Sequence, residues 1–164
     1  MGVLVTAASK YGSTTEIAAK IADTLREEGF EAAVVPPEEV DALDGFEAVV
    51  LGSAVYAGHW LKPARELVER AGEALAARPV WLFSSGPIGD PPRPTEDPVD
   101  VAEVVRATGA RDHRVFAGRL EKKRLSFGER AIVVAFRATE GDFRDWDDVA
   151  AWAQGIATSL RTGP

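Results

Sequence analysis

The chain has no cysteine, and His59 and His113 are the only histidines among its 164 residues. Without cysteine it forms no disulfide, no thiolate nucleophile and no cysteine-ligated zinc or iron–sulfur site. Two histidines are too few for a multi-histidine metal centre to be expected. The sequence also lacks a Gly-x-Gly-x-x-Gly motif between a strand and a helix, which disfavours a dinucleotide-binding dehydrogenase.

Positive charge is scarce. Lysine and arginine number 19 against 26 aspartates and glutamates, for a net charge of -7. A nucleic-acid backbone is therefore repelled on average. No apolar run is long enough to span a bilayer, and the N-terminal residues lack the basic and apolar segments of a signal peptide. We expect a cytoplasmic protein that binds no nucleic acid and has no transmembrane segment.

What is present is a regular alternation of two patterns. Short apolar runs, which are typical of strands buried on both faces, occupy 3–5, 32–35, 47–54, 79–85 and 113–118. Amphipathic helical spacing separates them, as with Ile17, Ile21 and Leu25. The alternation predicts an α/β fold, a doubly wound five-stranded parallel sheet with helices on both faces. The length suits a single domain over 1–164.

Two segments interrupt this alternation. "SGPIGDPPRPTEDP" (85–98) contains five prolines and three acids, which predicts an irregular loop. "LEKKRLSFGERAIVVAFRATEGD" (120–142) is basic at its front and apolar in its middle, and it does not have the pattern of a core helix. Loops as long as 85–98 in compact domains are usually functional or mobile.

Small polar residues crowd the turn after the first apolar run. "SKYGST" (9–14) places four hydroxyl side chains around Gly12. Ser13 or Thr14 is predicted to cap the following helix, and a helix N-terminus with free amides is an anion site. Capping alone would explain one or two of the four hydroxyls. A bound phosphate would explain all of them without requiring positive charge.

This turn carries a family resemblance. "SKYGST" followed by "TEIAAKIADTL" resembles the flavodoxin phosphate loop, Ser/Thr-x-x-Gly-x-Thr. "GSAVYAGHW", "FAGRL" and "GDFRDWDDVAAWAQGIA" resemble the flavodoxin branch that includes menaquinone-dependent protoporphyrinogen oxidase. The resemblance implies strand order 2-1-3-4-5, with FMN bound non-covalently at the switch point between strands one and three. Flavodoxin is itself a standard example of this switch-point rule.

The resemblance also implies three groups of FMN-binding residues. The first surrounds the phosphate: Ser9, Lys10, Tyr11, Gly12, Ser13 and Thr14. The second forms one wall of the isoalloxazine pocket: Ala54, Val55, Tyr56, Ala57 and Gly58. The third forms the opposite wall: Ser85, Gly86, Pro87, Ile88 and Gly89. Tyr56 would stack on the ring or border it, or it packs on the second helix from the rim of the pocket. Lys10 would face the phosphate or point to solvent. Gly58 would permit a peptide reorientation beside the flavin.

No side chain stands out as a catalytic acid or base, as is common where a cofactor carries the redox chemistry. His59 could relay protons and Trp60 could support a substrate, although burial at the start of a helix is the favoured interpretation for Trp60. His113, which is expected just before a strand, and the "RDW" of 144–146 are interpreted as structural. Two functions stay open: a quinone-linked oxidoreductase of the protoporphyrinogen oxidase type, and a one-electron carrier between redox partner proteins.

In the oxidase branch that this chain resembles, the region matching 120–142 is an inserted loop linked to substrate or membrane contact, and the resemblance implies the same role here. Its basic residues could meet propionates or anionic headgroups at the inner face of the membrane: Lys122, Lys123, Arg124 and Arg130. Its apolar residues could contact a quinone or the bilayer interface: Phe127, Ile132, Val133, Val134 and Phe136. Peripheral membrane contact through 120–136 is one hypothesis. The other is an ordinary surface helix whose charges are solvated.

Overall fold

The computed structural model describes residues 2–9, 12–56, 59–85, 101–116, 119–120, 141–142 and 146–162. The five predicted strands and the four predicted helices are present along these residues, together with three two-residue strands that were not predicted. Their bounds are β1 (Gly2–Ala8), α1 (Ser13–Glu27), β2 (Glu31–Val34), a 3-10 turn (Pro37–Glu39), β3 (Ala48–Tyr56), β4 (His59–Trp60), α2 (Lys62–Ala76), β5 (Val80–Ser85), α3 (Val101–Thr108), β6 (Asp112–Phe116), β7 (Arg119–Leu120), β8 (Gly141–Asp142) and α4 (Trp146–Thr162).

Five parallel strands form the main sheet in the order β2-β1-β3-β5-β6. The two-residue β4 pairs antiparallel with the end of β3 and lies off this path. When β4 is set aside, the order is the predicted 2-1-3-4-5, so the flavodoxin-like fold class is confirmed. His113 lies inside β6 rather than before it. The short strands β7 and β8 pair with each other at the two ends of the 120–142 segment, whose residues 121–140 lie outside the described part.

The sheet has a helical layer on each face. Helices α1 and α4 bury their apolar residues on one face, where Ile21 and Ile156 are at most 1% exposed. Helices α2 and α3 cover the other face through residues such as Leu67 and Val104. Each large apolar side chain buried in this way contributes about 1.5–3 kcal/mol. Because both faces of the central strands are covered, these strands read in the sequence as continuous apolar runs.

An aromatic cluster fixes α4 against the sheet. Phe83, Phe116 and Trp152 pack with ring centroids 5.5–6.1 Å apart in tilted and edge-to-face arrangements. The Trp152 indole N–H also donates to Asp112 Oδ2 at 3.0 Å. The hydrogen bond gives the cluster a defined orientation, since apolar packing alone is not directional. Trp146 packs against the same core, half-buried, in accord with its predicted structural role.

Candidate functional site

The turn after β1 is shaped by one serine and one glycine. Ser9 Oγ accepts a hydrogen bond from the Gly12 N–H at 2.9 Å. Gly12 has φ 88° and ψ -11°, a left-handed conformation that glycine adopts without a Cβ penalty. Its carbonyl accepts the first helical hydrogen bond, from the Glu16 N–H at 3.0 Å. The turn therefore presents the start of α1 to the carboxyl end of the sheet.

The predicted helix cap was wrong. Gly12 occupies the N-cap position, and α1 already begins at Ser13. Neither Ser13 nor Thr14 can then cap it, because an N-cap residue lies outside the helix and accepts from amides two or three residues later. Thr14 Oγ1 is fully buried and has no hydrogen-bond partner in the described part of the chain. Lys10 and Tyr11 lie outside that part.

The buried hydroxyl of Thr14, which has no partner among the described residues, indicates whether this turn suits a phosphate. Leaving a buried hydroxyl unpaired costs about 1–3 kcal/mol, so such groups usually mark a missing partner. This one sits in the first turn of α1, where backbone amides also lack helical partners and the helix dipole favours an anion. The donor set consists of hydroxyls and amides, which is the chemistry that a phosphate requires. The residues present therefore fit the phosphate end of FMN.

The two predicted walls are brought beside this turn by the strand order. In the sheet, Ala8 at the end of β1 pairs with Ser53 of β3, and Ala54 pairs with Ser85 at the end of β5. The carboxyl ends of β1, β3 and β5 thus meet at one edge, as the switch-point rule requires. The structure brings together the described members of all three predicted groups, which are Ser9, Gly12, Ser13, Thr14, Ala54, Val55, Tyr56 and Ser85.

The described wall residues have contrasting environments. Ala54 and Val55 are half-buried, whereas Ser85 is 2% exposed. Tyr56 is the last residue of β3 and pairs with His59 of β4. The remaining predicted wall residues lie outside the described part of the chain: Ala57, Gly58, Gly86, Pro87, Ile88 and Gly89.

Sequence reasoning missed a buried polar network behind these walls. Ser53 Oγ accepts from the Leu61 N–H at 2.9 Å, which fixes the entry to α2. The Trp60 indole N–H donates to Ser84 Oγ at 2.7 Å, and the same oxygen lies 2.7 Å from His113 Nε2. Trp60 is 1% exposed, so the favoured interpretation of burial is confirmed, while His59 next to it is exposed. Strand alternation places Ser53 and Ser84 on the α2 side, but it does not identify their partners.

The described ranges contain neither a candidate metal site nor a helix that could span a membrane. No group of three or more histidine, aspartate or glutamate side chains there could hold a metal ion. None of the helices in those ranges has both the length and the apolar character needed to cross a bilayer. The basic and apolar residues singled out between 122 and 136 lie outside these ranges, as do Arg144 and Asp145.

Comparison with known proteins places this architecture among flavodoxins. The family model described as "Flavodoxin domain" matches residues 4–147. Protoporphyrinogen IX dehydrogenase (quinone) of Escherichia coli K12 is 24% identical over 172 aligned residues, covering 96% of this chain and 95% of that protein.

Solved structures show the same fold. A flavodoxin from Pseudomonas aeruginosa, solved as a cysteine-to-serine mutant, superposes with a TM-score of 0.64 at 17% identity, covering 98% of this chain and 99% of its own. The rubredoxin oxygen:oxidoreductase of Desulfovibrio gigas gives a TM-score of 0.68 at 15% identity. The match covers 98% of this chain but only 36% of that oxidoreductase, so the similarity concerns one part of a longer protein.

Proposed function

The chain belongs to the flavodoxin domain family, and we propose that it is an FMN-dependent oxidoreductase that passes electrons from a porphyrinogen-type substrate to a quinone. Family membership confirms the prediction that FMN is the cofactor. The observation that carries the specific proposal is the similarity to the quinone-linked dehydrogenase of Escherichia coli. That similarity extends over 96% of this chain and 95% of a relative of nearly the same length.

The chain's own residues would act mainly by binding and orienting the cofactor. Ser9 and Gly12 shape the turn, and the Thr14 hydroxyl and the first amides of α1 would hold the phosphate. Ala54, Val55 and Ser85 would border the ring. This assignment extends to the other residues of the three predicted groups by their place in the sequence.

When bound, FMN supplies the redox chemistry: an electron pair leaves the substrate together with protons, and the quinone becomes its hydroquinone. Among the described residues of the three groups none is a carboxylate, a histidine or a lysine. The protein is therefore proposed to contribute position and electrostatics rather than a dedicated acid or base. His59 is the nearest histidine in sequence to the described residues 54–56, and it is exposed.

The acceptor is proposed to be a membrane quinone. The Escherichia coli relative, whose name specifies a quinone, aligns with 96% of this chain, and this similarity supports the proposal. The basic and apolar composition of 120–136 suits peripheral contact with the inner face of the membrane. The same hypothesis includes a cytoplasmic location, because the inner face of the membrane borders the cytoplasm.

Anaerobic turnover tests the proposal directly. Protein loaded with FMN is mixed with protoporphyrinogen IX and menadione, and the appearance of porphyrin fluorescence is followed. We expect oxidation that depends on both FMN and the quinone, and that is lost in apoprotein. If saturating FMN is bound and no water-soluble or membrane quinone supports oxidation above the rate with free FMN, this function is wrong.

The net charge of -7 supports a second candidate, a one-electron carrier that docks on basic partner proteins by electrostatic steering. A carrier and a two-electron enzyme differ in a redox titration under anaerobic conditions. Two well-separated one-electron steps would favour the carrier. A single two-electron step, together with rapid reduction by a small organic substrate, would favour the enzyme.

A further inference from the structure

A chain of three hydrogen-bonding side chains crosses three strands behind the flavin walls. Trp60 on β4 donates its indole N–H to Ser84 Oγ on β5 at 2.7 Å. Ser84 Oγ is in turn 2.7 Å from Nε2 of His113 on β6. Trp60 is 1% exposed and Ser84 is fully buried, whereas His113 is half-buried on the edge strand. The buried hydroxyl therefore links the indole to the imidazole.

The donor inventory gives the direction of the bond from Trp60 to Ser84, and the tautomer of His113 decides the direction of the bond between Ser84 and His113. An indole N–H can only donate, and a serine hydroxyl has one proton and two lone pairs. Since Ser84 Oγ accepts from Trp60, its own proton has one acceptor within the described part of the chain, which is His113 Nε2. All three groups are satisfied when Nε2 carries no proton, which corresponds to the neutral imidazole with its proton on Nδ1.

The position of the chain connects it to both candidate walls. Trp60 pairs in register with Val55, which belongs to the predicted wall formed by residues 54–58. Ser84 immediately precedes Ser85, the first residue of the opposite predicted wall, 85–89. A neutral hydrogen bond contributes only modestly to stability, but leaving one partner unpaired in a buried site costs more. The bond between Trp60 and Ser84 therefore favours one relative position of the two walls.

We propose that Ser84 and His113 are positioning residues for FMN: His113 orients the Ser84 hydroxyl, and Ser84 holds Trp60 and the end of β3 in the arrangement that receives the ring. Neither residue needs to contact the flavin. This inference rests on the proposed placement of the ring between residues 54–58 and 85–89. It adds a dependence of flavin binding on the edge strand β6, which contributes no residue to the predicted site.

The first measurement concerns the apoprotein. Labelling with ¹⁵N-tryptophan gives a separate indole N–H resonance for each of the four tryptophans, and Trp60→Phe identifies the one from Trp60. We expect His113→Phe to shift the Trp60 resonance, because the Ser84 proton loses its acceptor. His113→Gln should restore the position, since its amide oxygen can accept from Ser84. Arg114→Gln is the matched control, because it removes an exposed ion pair with Asp148 from the same strand.

The second measurement is the FMN dissociation constant. We expect His113→Phe to raise it about 5- to 10-fold, the effect of one lost hydrogen bond, with His113→Gln within about threefold of the wild type. In a Ser84→Ala background, His113→Phe should change the constant less than about twofold, because residues that act through one another are not additive. The control Arg114→Gln should bind FMN as the wild type does.

Each outcome supports or contradicts the inference. It is overturned if His113→Phe leaves the Trp60 resonance unmoved, or if its effect on FMN affinity is the same with and without the Ser84 hydroxyl. A shifted resonance with unchanged FMN affinity overturns the positioning role as well, because the link then does not reach the flavin. None of these measurements involves substrate or quinone, so failure of the proposed reaction is distinguished from failure of this inference.

Discussion

Thr14 shows how a single hydroxyl can mark a binding site. Two other buried threonines on helices, Thr24 and Thr108, donate to carbonyls four residues earlier, at 2.9 and 2.8 Å. Thr14 is only the second residue of α1, so no helical carbonyl lies four residues before it. Its hydroxyl is buried and has no partner among the described residues. An unpaired buried hydroxyl lowers the stability of the free protein. Its presence is explained if a bound ligand forms a hydrogen bond with it.

Replacing Thr14 by valine should therefore have opposite effects on stability and on binding. Valine has nearly the same shape and no hydroxyl, so the free energy of unfolding of the apoprotein should stay the same or rise by about 1 kcal/mol. The FMN dissociation constant should rise about 10-fold through loss of a charge-assisted hydrogen bond to the phosphate. Urea unfolding and an FMN fluorescence titration measure the two quantities.

Thr15→Val is the control for this experiment, because Thr15 is exposed on the same turn of α1. It should bind FMN as the wild type does. Loss of apoprotein stability in Thr14→Val, or unchanged FMN binding, would contradict the assignment of this hydroxyl to the phosphate.

Among the elements, β3 and β5 are in contact where the Phe83 ring of β5 occupies the space that a side chain on Gly52 of β3 would need. Gly52 pairs with Phe83 in the sheet, and a Cβ built on Gly52 would lie 2.3 Å from two carbons of the Phe83 ring. The ring is packed in turn against Phe116 and Trp152 of the aromatic cluster. It therefore has little freedom to move away. The two strands concerned are those whose ends form the proposed walls.

Gly52→Ala should destabilise the protein by about 1–3 kcal/mol, the usual cost of overpacking a filled core. Phe83→Leu should relieve part of that cost in the double variant, because the smaller side chain vacates the space the methyl group needs. The matched control is Gly155→Ala on the exposed side of α4, where nothing lies within 4 Å of the added Cβ. This control should gain up to about 1 kcal/mol through helix propensity. Chemical unfolding of these variants and the wild type checks the signs; equal destabilisation by both alanines would contradict the steric explanation.

At the scale of the whole molecule, FMN should stabilise the folded state by contacting residues at the ends of β1, β3 and β5 together. A ligand that binds only the folded state stabilises it by mass action, by about 2.7 kcal/mol at a concentration of 100 times its dissociation constant. For a chain of this size that corresponds to a melting temperature about 5–11 °C higher. We expect the stabilisation to extend to the entire fold, because the three strands belong to one sheet and helices pack on both of its faces.

Comparing FMN with riboflavin separates the two parts of the site. Riboflavin has the same ring and no phosphate, so at equal concentration it should raise the melting temperature by less than half as much as FMN. The reason is that the turn at 9–14 then binds nothing. Differential scanning fluorimetry with a dye that does not overlap flavin emission, or circular dichroism, gives the measurement. Equal shifts for the two flavins would mean that the turn does not hold the phosphate.

The sequence by itself determined the α/β class, the approximate positions of the five strands of the main sheet and the turn after the first of them, because apolar periodicity and turn residues are local properties of the chain. The predictions of the strand order and of FMN as the cofactor came from the family resemblance, and both were confirmed. Only the tertiary structure decided that Gly12 caps α1, that the Thr14 hydroxyl is buried without a partner among the described residues, and that Gly52 must lack a side chain. It also joined Trp60 to Ser84 and Ser84 to His113, across 24 and 29 residues of sequence. Such contacts depend on strand register and on how the layers pack, and neither is encoded in a pattern that spans a single element.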